Sequence, residues 1–204
     1  MEQLATEEQQ VEAIKRFWRE NGLAIAVGVV LGVGGLYGWR YYNDTQIAEK
    51  EAASKSYELV TTTLTADNTE KAQAFVENND SGYSILTALQ LAKLSVEKGE
   101  LEKAAGHLKF VADNASDAAI KSVANLRLAR VQNALSQFDE AMASLTLVTQ
   151  DAFAAQVDEI KGDIYVNQEQ FDDAKKAYND SLKINANNQL VKMKLDNLAV
   201  AING

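Results

Sequence analysis

The sequence predicts an all-α protein, a single N-terminal transmembrane helix followed by an α-solenoid. Three observations carry that expectation. The 204 residues include no proline, whose ring would break helix interiors. Residues 23–39 read LAIAVGVVLGVGGLYGW without a charge. Beyond them, small side chains recur at matched intervals, as in chains built from stacked helical hairpins. An apolar share of 47% and a charged share of 24% suit a packed chain rather than a disordered one.

Residues 1–22 form the expected cytoplasmic segment. Thr6-Glu7-Glu8-Gln9 has the spacing of a capping box. Val11, Ile14, Phe17 and Trp18 then share one side of a helix that also carries Lys15, Arg16 and Arg19, an amphipathic lead-in to a membrane. Residues 23–42 form the expected transmembrane helix, about 20 residues or roughly 30 Å, one hydrocarbon core. Trp39, Tyr41 and Tyr42 at one end, and Phe17 and Trp18 before the other, mark the two interfaces where aromatic belts lie. Cleavage as a signal peptide would need small residues after the apolar run. Trp39, Arg40, Tyr41 and Tyr42 are all bulky. Lys15, Arg16 and Arg19 outweigh Arg40 close to the span, which predicts a cytoplasmic N-terminus. Gly28/Gly32 and Gly34/Gly38 have the small-xxx-small spacing that lets a second helix approach closely. The spacing permits a homodimer without requiring one.

Residues 43–204 form the expected periplasmic domain. Ala92, Ala129 and Gly162 are separated by 37 and 33 residues, and Ala104, Ala141 and Ala174 keep the same 37 and 33. Two positions holding one register identify a helix–turn–helix repeat near 34 residues, the tetratricopeptide period. Small residues belong where paired helices cross, and larger ones fill the gap to the next repeat. The turns read Lys98-Gly99-Glu100, Ser136-Gln137-Phe138 and Glu169-Gln170-Phe171, with three extra residues expected near 114–119. A weaker upstream copy places Tyr57 and Val60 on a first helix and Ala72, Phe75 and Val76 on a second. Residues 188–202 carry Leu190, Met193, Leu195 and Leu198, a terminal cap. Four helix pairs plus that cap account for the domain.

Chemistry is sparse. Without cysteine there is no disulfide framework, no Cys-bearing zinc site and no thiol catalysis. The single histidine, His107, leaves no multi-histidine metal site. Neighbouring acids such as Asp139-Glu140 and Asp172-Asp173 do not face each other on a helix. No cofactor, no metal and no enzymatic activity are expected. A formal charge of −9 argues against nucleic acid as a partner, because phosphate binding needs a basic face. The expectation is a polypeptide-binding groove lined by the first helix of each repeat. That reading selects Tyr57 and Thr61, then Leu86, Leu89, Lys93 and Val96, then Val123, Leu126, Arg130 and Asn133, and finally Gln156, Glu159, Asp163 and Val166. A complete basic clamp for a terminal carboxylate does not assemble, since the first and third copies lack the needed Lys or Asn.

Residues 10–43, QVEAIKRFWRENGLAIAVGVVLGVGGLYGWRYYN, with LRLARVQ at 126–132, resemble the YfgM-type ancillary subunit of the bacterial Sec translocon. The similarity extends over nearly the whole chain, and the membrane stretch is its specific part. The resemblance implies a single-pass inner-membrane protein with a periplasmic repeat domain. It implies partners too: the SecYEG translocon, a membrane-anchored periplasmic chaperone of the peptidyl-prolyl isomerase type, and unfolded exported chains. It supplies no catalytic motif. An envelope scaffold, or a membrane-tethered regulator of a stress-response pathway acting through residues 1–20, is the alternative reading.

Overall fold

The computed structural model describes residues 7–65, 68–78 and 81–203, apart from the side chains of 7, 8 and 201–203. The expected capping box includes Thr6, Glu7 and Glu8 and lies outside what is described. Among the described residues the chain is helical, with one isolated bridge, Thr65 to Asn68, and no strand.

The chain divides into two compact units, Met1–Ala52 and Ala53–Gly204. Helix α1, Glu7–Thr62, enters both. It runs without a break through the expected membrane boundaries at 22/23 and 42/43. Its apolar window has a mean hydropathy of 1.8 and is unburied, with Leu23, Leu36 and Trp39 more than two-thirds exposed. The helix is long and apolar enough to cross a membrane once. Trp18 and Trp39 lie 21 residues apart, about 30 Å along its axis. A Cβ added at Gly28, Gly32, Gly34 or Gly38 meets no neighbour, so both small-xxx-small edges are open.

The second unit is a stack of helix pairs. At the start of the stack Val60, near the end of α1, packs against the cluster that holds Ala72 and Val76 of α2, Glu70–Asn78. Three pairs follow: α3, Gly82–Glu97, with α4, Leu101–Asn114; α5, Ala118–Ala134, with α6, Phe138–Thr146; and α7, Ala154–Asn167, with α8, Phe171–Ile184. Helix α9, Gln189–Asn203, closes the chain, where the terminal cap was expected. The connection between α4 and α5 is only residues 115–117, so the longer period there is absorbed as helix. Helix α5 has 17 residues where α7 has 14.

One turn geometry is used three times. Gly99, Ser136 and Glu169 have φ of 77°, 60° and 61°, the left-handed region that ends helices. Around Gly99 the amide of Glu100 donates to Ser95 O at 2.8 Å and that of Gly99 to Val96 O at 3.0 Å. Gln137 to Gln132 and Ser136 to Asn133 repeat these bonds, as do Gln170 to Tyr165 and Glu169 to Val166. Each is a Schellman motif, satisfying two carbonyls that a helix end leaves orphaned. The residue that follows starts the second helix. Carbonyls of Glu100, Gln137 and Gln170 accept from Ala104, Ala141 and Ala174, all at 3.0 Å.

Those alanines are fully buried, and Ala92 and Ala129 facing them are 3% and 0% exposed. Ala92 packs with Ala104 and Leu108, and Ala129 with Ala141 and Leu145. In the last pair Gly162 takes the small position because Tyr178, 2% exposed, fills the crossing; a Cβ on Gly162 would clash with the edge of the Tyr178 ring. Successive pairs are also pinned by side chains nearly one period apart. Asn167 Nδ2 donates to Asn133 Oδ1 at 3.0 Å, and Gln90 Nε2 to Tyr57 Oη at 3.1 Å. The Tyr57 and Tyr83 rings lie 5.1 Å apart.

These contrasts set two opposite outcomes for one substitution type. Gly162→Ala overpacks the crossing and lowers stability by about 1–3 kcal/mol. Gly106→Ala, mid-helix with nothing near its Cβ, raises stability by up to about 1 kcal/mol through helix propensity. Urea midpoints of the two variants, read at constant slope, should move in opposite directions from the parent.

Candidate interaction groove

The backbones of α5 and α7 approach more closely than those of α3 and α5, whose side chains meet in shared core clusters, Ala92 with Leu128 and Val131 among them. The gap between α3 and α5 is a groove of about 590 Å³, within the size range of ligand pockets. From α3 it takes Leu89, Gln90, Ala92, Lys93, Val96 and Glu97, a stripe with the i, i+3, i+4, i+7 spacing of one helix face. Its other wall is Arg127, Arg130 and Val131 of α5, and Leu108 of α4 closes the floor. The floor is apolar and the rim is charged. Lys93 Nζ lies 3.7 Å from Glu97 Oε1 on the α3 rim, an exposed pair worth little. Arg127 and Arg130 are exposed on the opposite rim.

Four of the residues expected in a binding groove, Leu89, Lys93, Val96 and Arg130, converge here. Leu86 is exposed on α3 and Val123 half-buried on α5, both outside the groove. Leu126 is a correction: it is 3% exposed and packs with Ile160 and Ile164 of α7, so it belongs to the core between repeats. Tyr57 and Asn133 are engaged in the contacts between repeats already described. Thr61 donates its hydroxyl to the carbonyl of Tyr57 at 2.9 Å, within its own helix. The sequence reading missed Arg127, which lies three residues before Arg130 on the same face. It also missed Leu108, because only first helices were considered.

The last repeat is closed rather than open. Lys194 of α9 reaches Glu159 Oε1 at 2.8 Å and Asp163 Oδ2 at 2.7 Å. Tyr178 Oη donates to Asp163 Oδ1 at 2.8 Å, and burial followed by that bond pushes the phenol far above its ordinary range. Val166 packs among α9 contacts, while Gln156 stays exposed. Of the expected groove residues on α7, Glu159 and Asp163 therefore hold the terminal cap. Among the described residues no cluster of three His, Cys, Asp or Glu has metal-binding geometry.

The tetratricopeptide repeat-like domain family matches residues 15–200. The ancillary SecYEG translocon subunit of Escherichia coli strain K12 is 39% identical over 206 residues, covering 98% of this chain and 100% of that protein. The ancillary SecYEG translocon subunit of Aggregatibacter actinomycetemcomitans is 36% identical, over 94% of this chain and 97% of its own. That of Haemophilus influenzae strain Rd is 32% identical, with the same two coverages.

His107 sits beside Leu108 on α4, and burial, then the Lys103 charge, lowers its pKa from the ordinary 6.5. The unfolded chain therefore binds this proton more readily than the folded one. The histidine's contribution to stability is complete above about pH 6.5 and is lost as pH falls through the lower folded value. The fall in thermal midpoint between about pH 7.5 and about pH 5.5 should be smaller in His107→Gln than in the parent.

Proposed function

The chain belongs to the ancillary SecYEG translocon subunit family, and from that premise we propose that it is a non-enzymatic accessory of the Sec translocon in the bacterial inner membrane. In this reading α1 crosses the bilayer once, residues 1–22 face the cytoplasm, 23–42 span the membrane, and the repeat domain of 43–204 works in the periplasm. The excess of Lys15, Arg16 and Arg19 before the apolar span supports that orientation. The partners proposed are SecYEG itself, a membrane-anchored periplasmic chaperone of the peptidyl-prolyl isomerase type, and exported chains not yet folded. Gly28, Gly32, Gly34 and Gly38 would pack against a neighbouring membrane helix, either of the translocon or of a second copy.

One observation carries the reading. A single chain joins a helix apolar enough to cross a membrane to a repeat domain with an open, apolar-floored groove at Leu89, Val96 and Arg130. Tethering confines that groove to the membrane surface, raising its effective concentration near any partner on the same membrane. Weak, broad contacts then suffice, as befits a protein that hands chains on.

A photo-crosslinking residue at Val96 or Arg130 tests this in intact membranes. Adducts with SecYEG-associated chaperone or with an emerging exported chain are expected, and adducts confined to cell-wall machinery, or to neither, would contradict it. Because the chain has no cysteine, Ser116→Cys in the α4–α5 connection supplies the orientation. Labelling by a membrane-impermeant maleimide from the periplasmic side is expected, and labelling only after lysis would reverse the topology.

A further inference from the structure

We propose that the groove between α3 and α5 receives a short amphipathic helix of a partner polypeptide, with carboxylates along the flank facing α5. This deepens the interaction reading above and rests on it. The argument begins with charge. The chain as a whole carries −9, yet the groove rim carries Lys93, Arg127 and Arg130 against a single acid, Glu97. The cations are not equivalent. Lys93 faces its own neutralising partner, Glu97. Arg127 and Arg130 enter none of the ion pairs among the described residues. The α5 rim is thus cationic and the α3 rim balanced, and the groove has a polarity across its width. Guanidinium groups three residues apart share a helix face and present forks suited to carboxylates.

Backbone chemistry selects a helix over an extended strand. The amides and carbonyls of α3 and α5 are spent within their own helices, and no strand edge is offered among the described residues. The one side-chain amide in the groove, Gln90, already donates one N–H to Tyr57 Oη. An extended occupant would bring unpaired amides onto the accessible apolar surface of Leu89 and Val96, at a desolvation cost. A helix satisfies its own backbone and presents only side chains. Leu89 to Val96 spans seven residues of α3, about 10 Å. That length matches two turns of an occupant helix, with apolar side chains at i and i+4 and carboxylates at i and i+4 on the adjoining flank.

The test uses the full chain in detergent micelles and two synthetic helical peptides, read by fluorescence anisotropy. Both carry leucines four residues apart. One has glutamates and the other lysines on the same flank. The glutamate peptide should bind at least about tenfold more tightly than the lysine peptide, and the preference should weaken with salt. Arg127→Glu with Arg130→Glu should reverse the order of the two peptides, and the milder Arg127→Gln with Arg130→Gln should abolish the preference. Both positions are exposed, and circular dichroism verifies that each variant is folded. Equal binding of the two peptides, an order unchanged by charge reversal, or no binding by the folded parent each overturns the proposal. Capture of translocon partners at Val96 persisting in that case would leave the interaction reading standing and remove only the acidic helix.

Discussion

The repeat domain depends on one constraint, the close crossing of two helices joined by a left-handed residue. A second helix can fold back on the first only if the chain reverses within three residues, and the turns at Gly99, Ser136 and Glu169 accomplish this with one geometry. A non-glycine residue there costs about 1–2 kcal/mol. Ser136 and Glu169 bear that cost, which the two Schellman bonds at each turn help to offset. The crossing then brings Ala92 against Ala104 and Ala129 against Ala141, where any larger side chain would wedge the pair apart. The final pair solves the same geometry differently, with no side chain at Gly162 and a whole aromatic ring at Tyr178.

From that unit the functional surface follows by addition. Each pair buries one face against the next, and the domain ends where α9 seals the last face with Lys194 on Glu159 and Asp163. Such a capped end is what a repeat stack needs to avoid presenting an open interface to solvent. An open groove lies between α3 and α5, whose backbones approach less closely than those of α5 and α7. Leu89 and Val96 are left accessible there above the buried Ala92, Leu108 and Val131, and a cationic edge appears on an acidic chain. The apolar window of α1 is itself unburied.

Much of this was legible in the residues. Period and register aligned the crossings at Ala92, Ala129 and Gly162 with Ala104, Ala141 and Ala174, and Gly99 announced its left-handed turn by residue type. Ser136 and Glu169 did not, because serine and glutamate carry no such preference; only their alignment with Gly99 reveals the conformation. Leu126 was misplaced because α5 buries residues on several faces, Ser122, Ala124, Asn125, Leu128 and Val131 among them. Apolar spacing cannot then separate a core face from a groove face. Glu159 and Asp163 read as groove acids, since their partner Lys194 lies more than thirty residues downstream and local sequence holds no trace of it.

Amide hydrogen exchange on the full chain in micelles addresses the turn-and-crossing constraint directly. The account predicts slow exchange at the amides of Glu100, Gln137 and Gln170, which close the three turns, and at Ala104, Ala141 and Ala174, which make the first bonds of the second helices. The amides of residues 149 and 150, between α6 and the short 3-10 turn Asp151–Phe153, should exchange far faster. Turn amides exchanging as quickly as those connecting residues would contradict it, because the helix pairs would then not be held by the geometry on which the groove rests.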